Sequence, residues 1–210
     1  MVKVVTIDFD IIMSTCIEFY NDLIGVEDPL KDFVKDFSFL TNLPADLYQY
    51  EHLTRYIIRS LKNVCQIYFI TSHEKIVPIL ESLPHDEPVE VVNIDHHHDV
   101  GYDIKFDKPI ISSSCGNWVK YCRDRKLLDS YCWIKNDNSN DIESRVYREK
   151  YIDQEILFKD AQLEQLAKET DILVICASYE WIPPIYHPLI LNWQTICEEV
   201  IGQEYPFDSF

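Results

Sequence analysis

The chain has 210 residues and a net charge of -17, from 36 acidic against 19 basic side chains. That balance argues against electrostatic attraction to nucleic acid or to an anionic membrane, and it suits a cationic substrate as well as it suits ordinary solubility. The length suits one domain with a sizeable core, and since no Gly/Ser-rich linker divides the chain, a single domain over 1–210 is expected.

Seven cysteines without a C-x-x-C pair read as reduced thiols packed as small hydrophobes. The N-terminal run meets Asp8 too soon for a signal peptide, and no apolar run is long enough to span a bilayer. A soluble, cytoplasmic protein is expected.

In chain order, Val2 to Phe9 is a β-branched run of the kind buried on both faces of a parallel sheet, and it ends in Asp8-Phe9-Asp10. A helix is expected from about Ile11 to Ile24, stopped by Gly25, then an irregular segment to Pro44 and a helix over Ala45 to Leu61. Cys65 to Ile70 reads as a strand, and Thr71 and Glu74 have capping-box spacing around His73. Val89 to Ile94 is the next strand and opens onto Asp95-His96-His97-His98-Asp99. A helix follows Trp118, a short strand is expected at Tyr131 to Ile134, and Asn136 to Asp141 reads as a loop. The pattern over 142–160 fits neither element. Leu163 to Lys168 reads as a helix and Asp171 to Ala177 as a buried strand leading to Glu180. After Pro183 and Pro184 comes a last helix with Leu189, Trp193, Ile196, Val200 and Ile201 as its apolar stripe. Strands alternating with helices predict a three-layer α/β domain with a mostly parallel sheet.

The strand ends carry the chemistry. In a parallel sheet every carboxyl end lies on one edge, so Asp8, Asp10, His73, the Asp95 to Asp99 run and Glu180 can converge although they are scattered in sequence. If the chain stays extended to Asp99, the period of two places Asp95, His97 and Asp99 on one side, with His96 and His98 on the other. Four aspartates and two histidines are too oxygen-rich for structural zinc and suit two Mn²⁺ ions. Two-metal hydrolases hold their ions roughly 3.5–4 Å apart and activate a water between them.

These segments resemble the arginase/ureohydrolase superfamily. Asp95 to Asp99 matches its D-x-H-x-D motif, Thr6 to Asp10 resembles its S-x-D-x-D motif, and Ile70 to His73 is similar to the segment bearing its isolated histidine. The short length, the DHHHD run, CGNW at 115–118 and EWIPP at 180–184 more closely resemble the small peptide arginases, which convert peptidyl arginine to ornithine. The resemblance implies that His73 and Asp99 bind one manganese and His97 and Asp10 the other, with Asp8 and Asp95 bridging. It further implies Glu180 on the substrate guanidinium, Asn117 and Trp118 near the substrate, and an arginine-containing cationic peptide as partner. Two departures stand out: the D-x-D strand comes first in the chain, so the strand order is rearranged, and Val119 stands where a proton-shuttling histidine is expected. His98 or His96 is then the candidate general acid.

The leading expectation is a manganese-dependent hydrolase that releases urea from arginine side chains. Two other classes stay open. A mononuclear zinc deacetylase would use only Asp95, His97 and Asp99 and leave Asp8, Asp10 and His73 without a task. A non-catalytic, metal-dependent binding module would hold metal but hydrolyse no guanidino or acyl substrate.

Overall fold

The computed structural model describes residues 1–13, 45–84, 86–101, 110–137, 139, 149–179, 182 and 184–202. The expected helix over 14–24, the segment up to 44, Cys16 and Glu180 lie outside them.

The described strands are β1 (Val2–Asp8), β2 (Gln66–Ile70), β3 (Val89–Ile94), β4 (Ser130–Lys135), β5 (Gln154–Leu157) and β6 (Ile172–Cys176). They form one six-stranded sheet in the order β2-β6-β1-β3-β4-β5. Every neighbouring pair is parallel. Helices α1 (Leu47–Ser60), α2 (Ile76–Glu81), α3 (Trp118–Asp124), α4 (Leu163–Glu169) and α5 (His187–Ile201) connect and cover it. Among the described residues no helix is long and apolar enough to cross a membrane.

The strand sequences explain the layering. Alternate residues of a strand face opposite ways, so Val5 and Ile7 enter one core while Val4 enters the other. The first core takes Leu53, Tyr56 and Ile57 of α1, Ala167 of α4, and Ile190, Trp193 and Cys197 of α5. The second takes Ile76, Ile79 and Leu80 of α2 and Trp118, Val119 and Cys122 of α3. This is a three-layer α/β domain whose sheet is apolar on both sides, as a parallel sheet requires. From β1 the chain winds to β2 on one side, then crosses to β3 on the other, so the winding reverses beside β1. Ligand crevices of such sheets form at that reversal, outside the strands' carboxyl ends.

Several local expectations are corrected. Phe9–Ile12 is a turn of 3-10 helix, not the start of a longer helix: the Asp8 carboxylate caps the Asp10 N–H, and Met13 leaves in extended geometry to bridge Ala45. His73 opens a short 3-10 helix (His73–Lys75) whose N-cap is Ser72, and the Ser72 hydroxyl donates to Glu74. On α5 Trp193 is buried as expected, together with Ile190 and Cys197, while Leu189, Ile196 and Ile201 pack partly buried against the same core and Val200 is 56 % exposed. Strand β5 falls in the stretch the sequence left unassigned.

Trp193 ties the first core together. It is fully buried, stacks on Tyr50 at 5.3 Å between ring centres and donates its indole N–H to Thr54. Trp193→Ala should cost about 3–5 kcal/mol through lost burial and the cavity left behind. Denaturant unfolding of the two proteins measures it, and a loss below about 1 kcal/mol would mean that this part of the core is not packed as described.

Candidate metal centre

Asp8 is the last residue of β1, and Asp10 follows in the turn it caps. His73 opens the 3-10 turn after β2, and Asp95 follows β3 directly. Six side chains from three strand ends therefore meet at one edge. His73 Nδ1 lies 3.2 Å from Asp8 Oδ2, 3.0 Å from Asp95 Oδ2 and 3.0 Å from Asp99 Oδ2. His97 Nδ1 lies 2.9 Å from Asp10 Oδ2 and 3.9 Å from Asp95 Oδ1.

The two oxygens of Asp95 thus face different histidines. They divide the cluster into two triads of potential ligand atoms, His73/Asp95/Asp99 and Asp10/Asp95/His97, each with its atoms within 4.8 Å of one another. Asp95 is common to both. Asp8 is held differently. Its Oδ1 accepts the Asp10 N–H, and its Oδ2 accepts the Ser178 hydroxyl at 2.6 Å beside His73. Its place is beside the first triad, and it joins no triad with Asp10 or His97 among the described residues.

The odd-numbered residues of the 95–99 run do converge, but not by strand alternation. β3 stops at Ile94, and Asp95 Oδ1 accepts the His97 N–H at 2.8 Å, which bends the chain into an Asx turn. Asp99 then sits at φ 52°, in the left-handed region that aspartate tolerates better than most residues. His98 is buried, its Nδ1 accepts the Val100 N–H, and its ring meets the edge of Trp133. Neither His96 nor His98 belongs to the triads.

A set of supporting donors fixes the cluster. Thr6 Oγ1 is 2.8 Å from His73 Nε2, which leaves Nδ1 turned to the carboxylates. Asn93 donates to Asp95 Oδ2, and the Trp133 indole donates to the Asp95 backbone carbonyl. Trp118 donates to Asp99 Oδ2 at 2.6 Å and packs against His73. Trp118 has no exposed surface and touches the cluster through Asp99 and His73. Asn117 is half-buried, and its Oδ1 accepts the Ser114 N–H of the preceding turn. Sequence reasoning missed Thr6, Asn93, Ser178 and Cys176. The available signal was register: Thr6 pairs with Asn93, and Asp8 with Cys176, on neighbouring strands.

The electrostatics are those of crowded, dehydrated acids. Burial, with the charges of Asp8 and Asp95, pushes Asp10 up to about 7. Burial, with Asp99 and Asp8, pushes Asp95 up to about 6, and burial also raises Asp99. Burial pushes Asp8 upward too, but contacts from His73, Ser178 and the Asp10 N–H outweigh it and leave the group below its usual value. Burial opposes charge on His73, yet Cys176 and the three aspartates raise it well above an ordinary histidine. Among the described residues every ion-pair partner of the four aspartates is a histidine. Four carboxylates against two imidazoles remain net negative even with both rings protonated. A divalent cation corrects that imbalance, and Asp and His are its usual oxygen and nitrogen donors, so the residues fit a metal.

Fold and site together define an α/β domain with a buried Asp/His cluster able to hold a metal ion at the carboxyl edge of a parallel sheet. No protein-family model and no curated protein matches the chain.

Two predictions follow from this geometry. Asp10, Asp95 and His73 all hold their protons to higher pH in the folded protein than in the unfolded chain, so without metal they withdraw stability as pH rises; Asp8, shifted the other way, contributes a constant amount above its ordinary value. A bound dication displaces those protons. The rise in Tm on adding Mn²⁺ over a chelator control should therefore widen from about pH 5 to about pH 8, and a gap that is constant or narrows with pH contradicts the arrangement. The shared position of Asp95 makes the second prediction. By calorimetric titration with Mn²⁺, Asp95→Ala should weaken every binding step, whereas Asp10→Ala should weaken one and spare the other. Equal effects of the two substitutions would mean that Asp95 does not join the triads.

Proposed function

We propose that the protein is a binuclear metal-dependent hydrolase of the ureohydrolase type that converts arginine side chains of a peptide to ornithine and releases urea. The observation that carries this reading is the pair of triads sharing Asp95, because a one-metal deacetylase site would leave His73 and Asp10 without a task. Support also comes from the three segments that resemble the superfamily's motifs and from the charge of -17, which favours a cationic peptide.

His73, Asp95 and Asp99 would hold one ion and Asp10, Asp95 and His97 the other; by the resemblance both are Mn²⁺. Two such ions supply Lewis-acid activation of water at neutral pH and a clamp for the developing charge. The chain's own residues do the rest. His97, at 14 % side-chain exposure, is the most accessible member of the cluster, so the substrate approaches from its side. The buried wall of Trp118, Tyr131 and Trp133 keeps water from the other side. Glu180 would receive the guanidinium, a planar cation that a carboxylate binds through parallel charge-assisted hydrogen bonds. By the resemblance His98 is the candidate proton donor; its Nδ1 accepts the Val100 N–H, which puts the ring proton on Nε2.

The test is to incubate the protein with Mn²⁺ and an arginine-containing peptide and to look by mass spectrometry for loss of the cyanamide-equivalent mass. The expected result is that loss at arginine, with urea in the supernatant. Unchanged arginine peptides in a protein shown to carry two metal ions would refute the ureohydrolase reading. Glu180→Gln should keep the metals and lower kcat/KM by about tenfold to a hundredfold, as loss of a charge-assisted contact implies. Full activity in that variant would remove Glu180 from the guanidinium.

A further inference from the structure

A groove of about 770 Å³ opens between α1 and the segment that runs from the end of β5 into α4. Two of its lining residues hold the turn that carries Asp10. The Asp46 N–H donates to the Ile12 carbonyl at 2.6 Å, and the Asn136 side chain donates to the Ile11 carbonyl while accepting from Gln49. Asp46 caps the start of α1 and Asn136 follows β4 directly, so the groove begins at the same edge of the sheet as the candidate ligands, next to the half of the cluster that holds Asp10 and His97.

The charge of the groove runs against that of the chain. The chain carries 36 acidic against 19 basic residues, but the groove is lined by four cations, Arg55, Arg59, Lys159 and Lys168, against three carboxylates, Asp46, Asp137 and Glu164. Each carboxylate is already engaged. Asp46 accepts the Tyr48 and Gln49 N–H groups, Asp137 pairs with Lys159, and Glu164 pairs with Arg59. The cations keep capacity to spare. Arg55 and Arg59 each meet a carboxylate through one nitrogen, and Lys168 is exposed and has no ion-pair partner among the described residues. A guanidinium offers five donors in a planar fork, so both arginines can take a second acceptor. Helical spacing also puts the cations in line: Tyr48, His52, Arg55 and Arg59 form a stripe along α1 beside its buried Leu53, Tyr56 and Ile57, and all four line the groove. At 1.5 Å per residue, Arg55 and Arg59 lie about 10 and 16 Å along the helix from Tyr48, distances that an extended peptide covers in about three to five residues.

Resting on the peptide-hydrolase reading above, we infer that the groove binds an acidic segment of the substrate peptide. The arginine occupies the metal centre, and an aspartate or glutamate at least about three residues away along the peptide is seated among the cations of the groove. The field of the whole protein draws in the arginine, and the groove selects among arginine peptides by the acid that accompanies it.

The test uses the full chain loaded with Mn²⁺ and two fluorescein-labelled peptides. One is a glycine-serine peptide with a central arginine and a pair of aspartates four and five residues from it on each side; the other has asparagine in place of every aspartate. Fluorescence anisotropy gives the two dissociation constants. The net charge of the protein by itself makes the asparagine peptide the tighter binder, so the sign of the difference decides. The expected result is tighter binding of the aspartate peptide by about threefold or more, as a few exposed charge pairs supply. Arg55→Gln with Lys168→Gln should erase or reverse that difference, and Lys168→Gln alone should reduce it if the double variant does not fold. The same loss of charge in Lys62→Gln with Lys126→Gln, two exposed residues that do not line the groove, should leave it in place. Equal binding, a preference for the asparagine peptide, no binding of either peptide, or a preference that survives Arg55→Gln with Lys168→Gln overturns the inference. Mass spectrometry of the same samples reads the reaction separately. Hydrolysis of both peptides at equal affinity removes the groove and leaves the ureohydrolase reading standing, whereas an aspartate preference without hydrolysis keeps the groove as a peptide site and removes the ureohydrolase reading.

Discussion

Like charges held close together away from water are the constraint around which this domain is arranged. Four aspartates sit within reach of two histidines, and Asp8, Asp10, Asp95 and Asp99 are each no more than 4 % exposed. In water such a cluster would spread apart. Here the backbone cannot yield, because β1 lies between β6 and β3 near the middle of a sheet covered on both faces. The apolar sheet is therefore the means by which mutually repelling groups are kept in one place. Burial first, and the neighbouring carboxylates after it, hold Asp10 and Asp95 above their ordinary values.

Core and site share side chains. Trp118 and Trp133 are among the largest fully buried residues, and each also spends its single indole donor on the cluster, Trp118 on the Asp99 carboxylate and Trp133 on the Asp95 carbonyl. Tyr131 packs in the same core, donates to the His98 carbonyl and accepts from Asn93, which in turn holds Asp95. A buried aromatic with a polar tip is costly unless that tip finds a partner. These tips find theirs in the loop that carries the candidate ligands, so packing the second core also sets the positions of the carboxylates. On the opposite face Asn136 does a comparable task at the backbone level, donating to the Ile11 carbonyl in the turn that carries Asp10 and accepting from Gln49 of α1.

Much of this was legible in the sequence because the signals were redundant. A strand buried on both faces is a run of β-branched residues, and Val2–Asp8, Val89–Ile94 and Ile172–Cys176 all have that form. Strand β5 lacked it: Gln154–Leu157 lies at the sheet's edge, with two exposed and two half-buried residues, so neither periodicity nor apolar content marked it. The aspartates and histidines stood out because such residues rarely follow an apolar strand without a task. Cys176 did not, since a thiol at the end of an apolar strand is indistinguishable from a small hydrophobe until the register with Asp8 is known. The Asp95 to Asp99 run shows a different gap. Alternation selected the right three residues, but a side-chain hydrogen bond from His97 to Asp95 and a left-handed Asp99 produce the convergence, and no periodicity encodes those.

The two halves of the cluster are not equivalent, and the difference comes from which strand ends build them. The half around His73 is enclosed: β1, β2 and β6 contribute Asp8, His73 and Cys176, Thr6 and Trp118 close it from below, and Ser178 fills the remaining hydrogen-bonding direction of Asp8. The half around His97 is built from the bend after β3 and the turn after β1, where backbone is less crowded, and His97 retains exposed surface. A molecule arriving from solvent meets the second half first, while the first half communicates with it through the shared Asp95 and through Asp8, which accepts the Asp10 N–H. An ion in the enclosed half would thus act mainly on the electrostatics of the bridging carboxylate. An ion in the open half would be the one within reach of a substrate. That division follows from the sheet order, in which β1 has β6 on one side and β3 on the other, before any particular chemistry is assigned to the site.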